Sequence, residues 1–147
     1  MNDVIVRELK YKDLDNGYIE TLSELSDIIT SKNELDKIYS FFVHQPNYYF
    51  FVAEYNEEII GCVTLFIERK FIHNGGKSGH IEDVVVRKKY RDGDIGSRLV
   101  SKLIEKAKEV GCYKVVLDCG CDVAPFYDKL GFIGEKVMYK IKFEKQL

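Results

Sequence analysis

The segment Asp94–Val110 constrains the fold of this chain more than any other. Ile95, Leu99, Val100, Leu103, Ile104, Ala107 and Val110 recur at helical spacing as one apolar stripe, and Gly111 follows as a stop. On either side lie short apolar runs, His80–Val86 and Tyr113–Cys119, which read as buried strands. Two strands joined through a helix pair in parallel, by a right-handed crossover. An amphipathic helix must lay its stripe on the sheet, so the chain is α/β.

The other segments add antiparallel neighbours. Val4–Leu9 reads as a first strand. Asp13 opens a helix carrying Leu14, Tyr18, Leu22, Leu25 and Ile29 on one side, with Gly17 weakening its early turns. Asn33 caps a second helix with Leu35, Ile38, Tyr39 and Phe42 on one face, and Pro46 follows it. Tyr48–Tyr55 and Ile59–Ile72 are aromatic and β-branched, and the link Asn56–Glu58 makes them a hairpin. His73–Gly79 reads as a glycine-rich loop, Val123–Leu130 as a short helix and Val137–Phe143 as an alternating last strand. The expected architecture is a single mixed, mostly antiparallel twisted sheet with a parallel central pair, flanked by helices. At 147 residues it should form one domain over 1–147.

Composition narrows the function classes. Lys and Arg number 22 against 24 Asp and Glu, a net charge of −2, which gives no electrostatic footprint for nucleic acid. No apolar run approaches ~18 residues, so no membrane span is expected, and MNDVIVRELK lacks the apolar stretch of a secretory signal. The expectation is a soluble, cytoplasmic protein. Cys62, Cys112, Cys119 and Cys121 would there stay reduced, and their spacing matches no zinc site, so no metal is expected.

The junction Tyr90–Ser97 carries chemistry. A strand runs through a glycine-bearing turn onto the N-terminus of the best helix, where free N–H groups and the helix dipole favour an anion. Gly93 and Gly96 allow close approach to the backbone. A P-loop would need Lys-Ser/Thr after the last glycine, where this chain has Ser97-Arg98, and no G-x-G-x-x-G follows the first strand. A pyrophosphate cradle and a plain β-to-α turn both fit the junction taken alone.

Candidates for proton transfer lie near the carboxyl ends of the parallel strands. Asp118 ends one of them and Tyr127 follows at the next helix. Glu82 and Asp83 sit within the other, where neighbours face opposite sides unless a β-bulge re-aims one of them. The residues alone also fit a solvated Glu82–Asp83 pair and a core-filling Tyr127 beside Phe126.

The stretch Arg91–Gly96 resembles the acyl-CoA-binding motif Arg/Gln-x-x-Gly-x-Gly/Ala of the Gcn5-related N-acetyltransferases. More narrowly, Glu68–His73, Gly79–Val86, Gly111–Cys119 and Pro125–Phe132 are similar to the branch of that superfamily whose acceptor is D-glucosamine 6-phosphate. The resemblance is dense from Glu68 to Phe132, whereas the first fifty residues match in length and element order. It implies the fold of that superfamily and direct transfer of acetyl from acetyl-CoA to the 2-amine of that amino-sugar phosphate, in the supply of UDP-N-acetylglucosamine. It also implies a homodimer with shared sites.

By resemblance the catalytic groups are Glu82, Asp118 and Tyr127, the last as proton donor to the departing thiolate. A bulge at Asp83–Val84 would leave the backbone of Val84, Val85 and Val86 for the pantetheine arm. Arg87, Asp92, Gly93, Asp94, Ile95, Gly96 and Ser97 would hold the rest of the cofactor. Sugar contacts would fall on Ser26, Lys70, Phe71, Ile72, His73, Glu82, Asp83, Tyr113, Lys114, Asp118 and Lys142, several from the partner subunit. Two positions depart from the pattern: Asp94 replaces the motif's middle glycine, and Val123 replaces an Asn before the last helix. Both bear on coenzyme A affinity. An acetyltransferase for another small amine, or a non-catalytic acyl-CoA-binding module, are the other readings.

Overall fold

The structure is a computed structural model that describes residues 3–28 and 30–143. Its elements are β1 (Ile5–Glu8), α1 (Tyr18–Ser23), α2 (Lys32–Val43), β2 (Tyr48–Tyr55), β3 (Glu58–Arg69), a single turn α3 (Ile72–Gly75), β4 (Lys77–Val86), α4 (Ile95–Glu109), β5 (Cys112–Val116) and α5 (Ala124–Lys129). Two compact units divide the chain, Met1–Leu117 and Asp118–Leu147. In the first, one sheet runs β1-β2-β3-β4-β5, antiparallel throughout except for the parallel pair β4–β5. The expected mixed α/β sheet is present, with its parallel pair at one edge of the described strands rather than in the centre.

Successive residues of β3 serve opposite faces. Cys62 packs with Leu14, Tyr18, Val52 and Val85 on the α1 side. Gly61 faces α4, where an added Cβ would stand 3.0 Å from Leu99, so glycine sets how closely helix and sheet approach. Ile95, Leu99, Val100, Leu103 and Ala107 of α4 are buried, which is the stripe read from the sequence. The β2–β3 hairpin closes through Asn56 and Glu57, both left-handed, as a two-residue connection between twisted strands requires.

The N-terminal third differs from expectation. Asp13 does not open a helix; it sits in a 3-10 turn (Tyr11–Asp15), fully buried. Its two oxygens take 2.7 and 2.8 Å hydrogen bonds from Arg7, and the Lys10 amide adds another at 2.7 Å. Burial alone would raise this carboxyl, but those bonds outweigh it and hold Asp13 below its usual range. Helix α1 starts only after Gly17, whose φ of 103° breaks the longer helix. An added Cβ there would meet the Ile59 carbonyl oxygen at 2.6 Å, so both conformation and space demand glycine. Ile29 lies outside the described residues. The cap of α2 is Ser31, which accepts from the Glu34 amide at 3.2 Å, rather than Asn33, which lies inside the helix.

Two further expectations are corrected. β3 stops at Arg69 because the Lys70 amide turns to the Gly76 carbonyl, and β4 already begins at Lys77, so the loop is shorter than His73–Gly79. Val137–Phe143 forms no strand: among the described residues no sheet ladder takes it, and Val137, Tyr139, Ile141 and Phe143 are each more than three-quarters exposed. An alternating segment becomes a strand only when it pairs with a neighbouring edge.

Candidate active site

The decisive feature of β4 is its bulge. Thr64 of β3 pairs with Glu82 and Cys62 pairs with Val85, so Asp83 and Val84 together oppose Val63 alone. Asp83 takes φ 51°, a left-handed conformation that Asp adopts more readily than most residues. Glu82 and Asp83 are both exposed, and both line one cavity. The bulge thus removes the alternation that would have sent them to opposite faces.

Beside the bulge, the sheet opens. The β4–β5 ladder ends at His80–Val116, and β5 stops there while β4 continues to Val86. From Ile81 onward, the β5 side of β4 has no strand partner among the described residues. Arg91 bonds the Val86 carbonyl at 2.7 Å and Glu24 at 3.3 Å, which fastens the following turn. The Arg87 side chain points elsewhere, to Glu58 at 2.7 Å, Thr21 at 3.0 Å and the Gly17 carbonyl at 3.1 Å.

The turn enters α4 through Asp94, which is the N-cap by position but makes no side-chain cap bond. The first helical N–H groups are thus not engaged by their own cap. An added Cβ at Gly93 would meet nothing within 4 Å, and its φ is not in the left-handed range. Neither packing nor backbone conformation in the chain itself requires glycine there; an anion resting on the backbone would. Ser97 turns its hydroxyl back to the Asp94 carbonyl at 2.8 Å. An open strand edge followed by an unblocked helix start fits an extended arm ending in phosphates.

The cavity beside Glu82 and Asp83 has a volume of about 510 Å³. Thr64, Tyr18, Tyr48 and Phe66 also line it, and the sequence reading had assigned Tyr18 and the strand aromatics to core and secondary structure only. Tyr48 and Phe50, two apart on β2, with Phe66 paired to Tyr48 on β3, were the available signal. Burial, reinforced by Cys62 and Asp83, pushes the Tyr18 hydroxyl well up, so it stays protonated.

A second cluster lies outside the cavity lining but adjoins it through His80, whose ring is 5.7 Å from that of Phe66. The His73 ring lies 4.2 Å from the Tyr113 ring, centroid to centroid, and the Lys114 ammonium is 5.6 Å from the same ring. Lys70 contacts Glu68 at 3.3 Å, and His80 contacts the same oxygen at 2.9 Å. Bonds from His80 and Lys70 hold the Glu68 carboxyl below its usual range. Phe71 and Ile72 are exposed. None of Lys70, Phe71, Ile72, His73, Tyr113 or Lys114 lines the cavity, nor does Ser26, which is exposed after α1.

In the second unit, Tyr127 is held edge-to-face between Phe126 and Phe132, at 4.9 and 5.7 Å. Burial first, then Cys119 and Asp118, raises its hydroxyl above the ordinary tyrosine value. Asp118 and Lys142 are exposed. Val123 occupies the N-cap of α5 without any side-chain cap bond.

The profile of the acetyltransferase (GNAT) family matches residues 13–132, and the chain belongs to that family. Glucosamine 6-phosphate N-acetyltransferase 1 of Dictyostelium discoideum is 36% identical over 138 residues, 92% of this chain and 88% of that protein. The glucosamine 6-phosphate N-acetyltransferase of Candida albicans is 37% identical over 129 residues, 86% of this chain and 87% of that protein. The crystal structure of glucosamine-6-phosphate N-acetyltransferase from Arabidopsis thaliana superposes with a TM-score of 0.92 at 32% identity, covering 96% of this chain and 99% of that one.

Proposed function

We propose that this acetyltransferase moves the acetyl group of acetyl-CoA to the 2-amine of D-glucosamine 6-phosphate, in a ternary complex without an acyl-enzyme. The bulge at Asp83–Val84 carries this reading, because it brings two carboxylates to one cavity beside an open strand edge. Acetyl-CoA supplies the thioester that the amine attacks. The strand edge at Val84–Val86, where Arg91 already takes the Val86 carbonyl, suits the pantetheine amides as an added strand, and the turn Asp92–Ser97 suits the pyrophosphate. Glu82 and Asp83 hold the ammonium, and Glu82 or Asp118 accepts its proton. Tyr127, kept protonated by its surroundings, donates toward the departing sulfur.

The substrate's phosphate needs cations, and the cavity lining contains none. Lys70, His73 and Lys114 are not part of that lining, and Lys142 is exposed. We therefore read the active unit as a homodimer in which one subunit's basic residues complete the other's site. The exposed alternating segment Val137–Phe143 supports this, since pairing with a second copy would cover it. No helix among the described residues is long and apolar enough to cross a membrane. The test is thiol release from acetyl-CoA across a panel of amino sugars and their phosphates. Preference for glucosamine 6-phosphate is the expected result; equal rates with unphosphorylated glucosamine would refute the substrate assignment.

A further inference from the structure

Acetyl transfer as read above has no use for Cys119 and Cys121, which lie just ahead of α5. Both are free and exposed, whereas Cys62 is buried and Cys112 half-buried. Burial pushes the Cys62 and Cys112 thiols above the ordinary cysteine value, which leaves little thiolate, the reacting form, at either. The accessible pair is separated by Gly120 alone. Consecutive Cα atoms are ~3.8 Å apart, so residues two apart stand about 5–7 Å from each other according to the bend between them, which overlaps the separation a disulfide spans. The chain is already tight there: an added Cβ at Gly120 would meet Asp122 Oδ1 at 2.6 Å. The Val123 amide then bonds the Gly120 carbonyl at 3.1 Å, in the turn that starts α5. Tyr127 stands on that helix, where burial first and then the nearby Cys119 charge raise its hydroxyl.

We infer that Cys119 and Cys121 close reversibly into an intrachain disulfide, by exchange with a low-molecular-weight disulfide, and that closure slows acetyl transfer by reshaping the turn that places Tyr127. The inference rests on the proposed function for the role of Tyr127, though not for the chemistry of the thiols. One cysteine thiolate attacks a sulfur of the incoming disulfide, whose S–S bond breaks with its electron pair leaving on the other half. The second cysteine thiolate then attacks the sulfur of the first and releases the remaining half. Two cysteine thiols are oxidised, one small disulfide is reduced to two thiols, and the cysteine protons end on those thiols. A strained or exposed disulfide is the labile kind, so a reducing thiol pool reopens it.

Glutathione disulfide is the probe. Trypsin cuts after Lys114 and Lys129, so both thiols fall in one peptide, 115–129, free of the other two cysteines. After treatment the wild-type peptide should have lost two hydrogens and retain no glutathione, whereas in Cys121→Ser the glutathione stays on Cys119. Wild-type kcat with glucosamine 6-phosphate should fall at least roughly tenfold and return with dithiothreitol, since a small misplacement of a catalytic group can cost about 10²-fold. The double variant Cys119→Ser/Cys121→Ser, compared with itself before and after treatment, should not respond. Glutathione retained on the wild-type peptide, no reaction there, or a closed disulfide with kcat unchanged each overturns the inference. If glucosamine 6-phosphate is no substrate, the sugar assignment fails alone, because the peptide mass still decides closure. Hydrogen exchange at Ala124–Lys129 should then quicken on closure, and an unchanged rate there overturns the inference.

Discussion

Gly93→Ala separates folding from cofactor binding more cleanly than any other substitution in this chain. In the free protein the new methyl meets nothing within 4 Å, and the backbone there is not left-handed. Reduced freedom of the unfolded chain should make the variant neutral or slightly more stable, by about 0.4–1 kcal/mol. For a chain of this size that is a melting shift of roughly 1–4 °C upward. The same methyl would stand beside the N–H groups at the start of α4, where the pyrophosphate is proposed to rest. A hydrogen bond to a charged group is worth about 1.5–3 kcal/mol, so displacing one phosphate oxygen should weaken acetyl-CoA roughly 10- to 150-fold. Calorimetric titration with acetyl-CoA, alongside thermal denaturation of the free variant, reads both effects. Unchanged affinity in a normally folded variant would remove the turn from the cofactor site. A strongly destabilised variant would refute the claim that nothing in the chain requires this glycine.

Asp13→Asn should cost about 3 kcal/mol at pH 7, towards the lower end for a broken buried pair because Arg7 keeps Glu54 at 2.7 Å; denaturant melts measure it. Since the folded carboxyl is lowered, its contribution is complete above the ordinary value near ~3.9 and is lost as pH falls through the folded value, so the gap between wild type and variant should close on acidification. Tyr127→Phe should reduce kcat on the order of 10²–10⁴-fold with little change in acetyl-CoA affinity, and unchanged turnover would return the ring to a packing role. Mixing Tyr127→Phe with Lys142→Ala under subunit exchange should restore activity if Lys142 serves the partner's site; no recovery after verified exchange contradicts that.

The parts of the fold legible in the sequence are those whose signal is local. The α4 stripe and the β2–β3 hairpin each carry their periodicity within a short window, and both occur at nearly the expected bounds. Asp13 was misplaced because a buried Asp bonded by Arg7 has the same local look as a helix cap. Gly17 was weighed as a weak helix former, when its role is to turn left-handed under β3. Residue pattern alone could not locate the bulge, since Glu82-Asp83 reads equally as a strand-end pair; the family resemblance supplied it. The cavity was invisible for a different reason. Its walls come from α1, α2, β2, β3 and β4, and no window of sequence contains that convergence.

Helix α2 contains no buried residue. It is tied down at its rim by the Tyr11–Asp36 hydrogen bond of 2.8 Å, the Lys32–Asp15 contact of 3.0 Å and the Phe42 ring against Tyr48 and Phe50. Opening it therefore sacrifices far less apolar burial than opening β3, most of whose residues are buried. In hydrogen–deuterium exchange the α2 amides should form their own early-opening group, well before global unfolding releases β3. A ligand that seats Leu35, Ile38 and Phe42 against itself would gain protection for that group alone. Acceptor binding would then be read as slowed exchange in one helix, with the sheet beneath it unaltered.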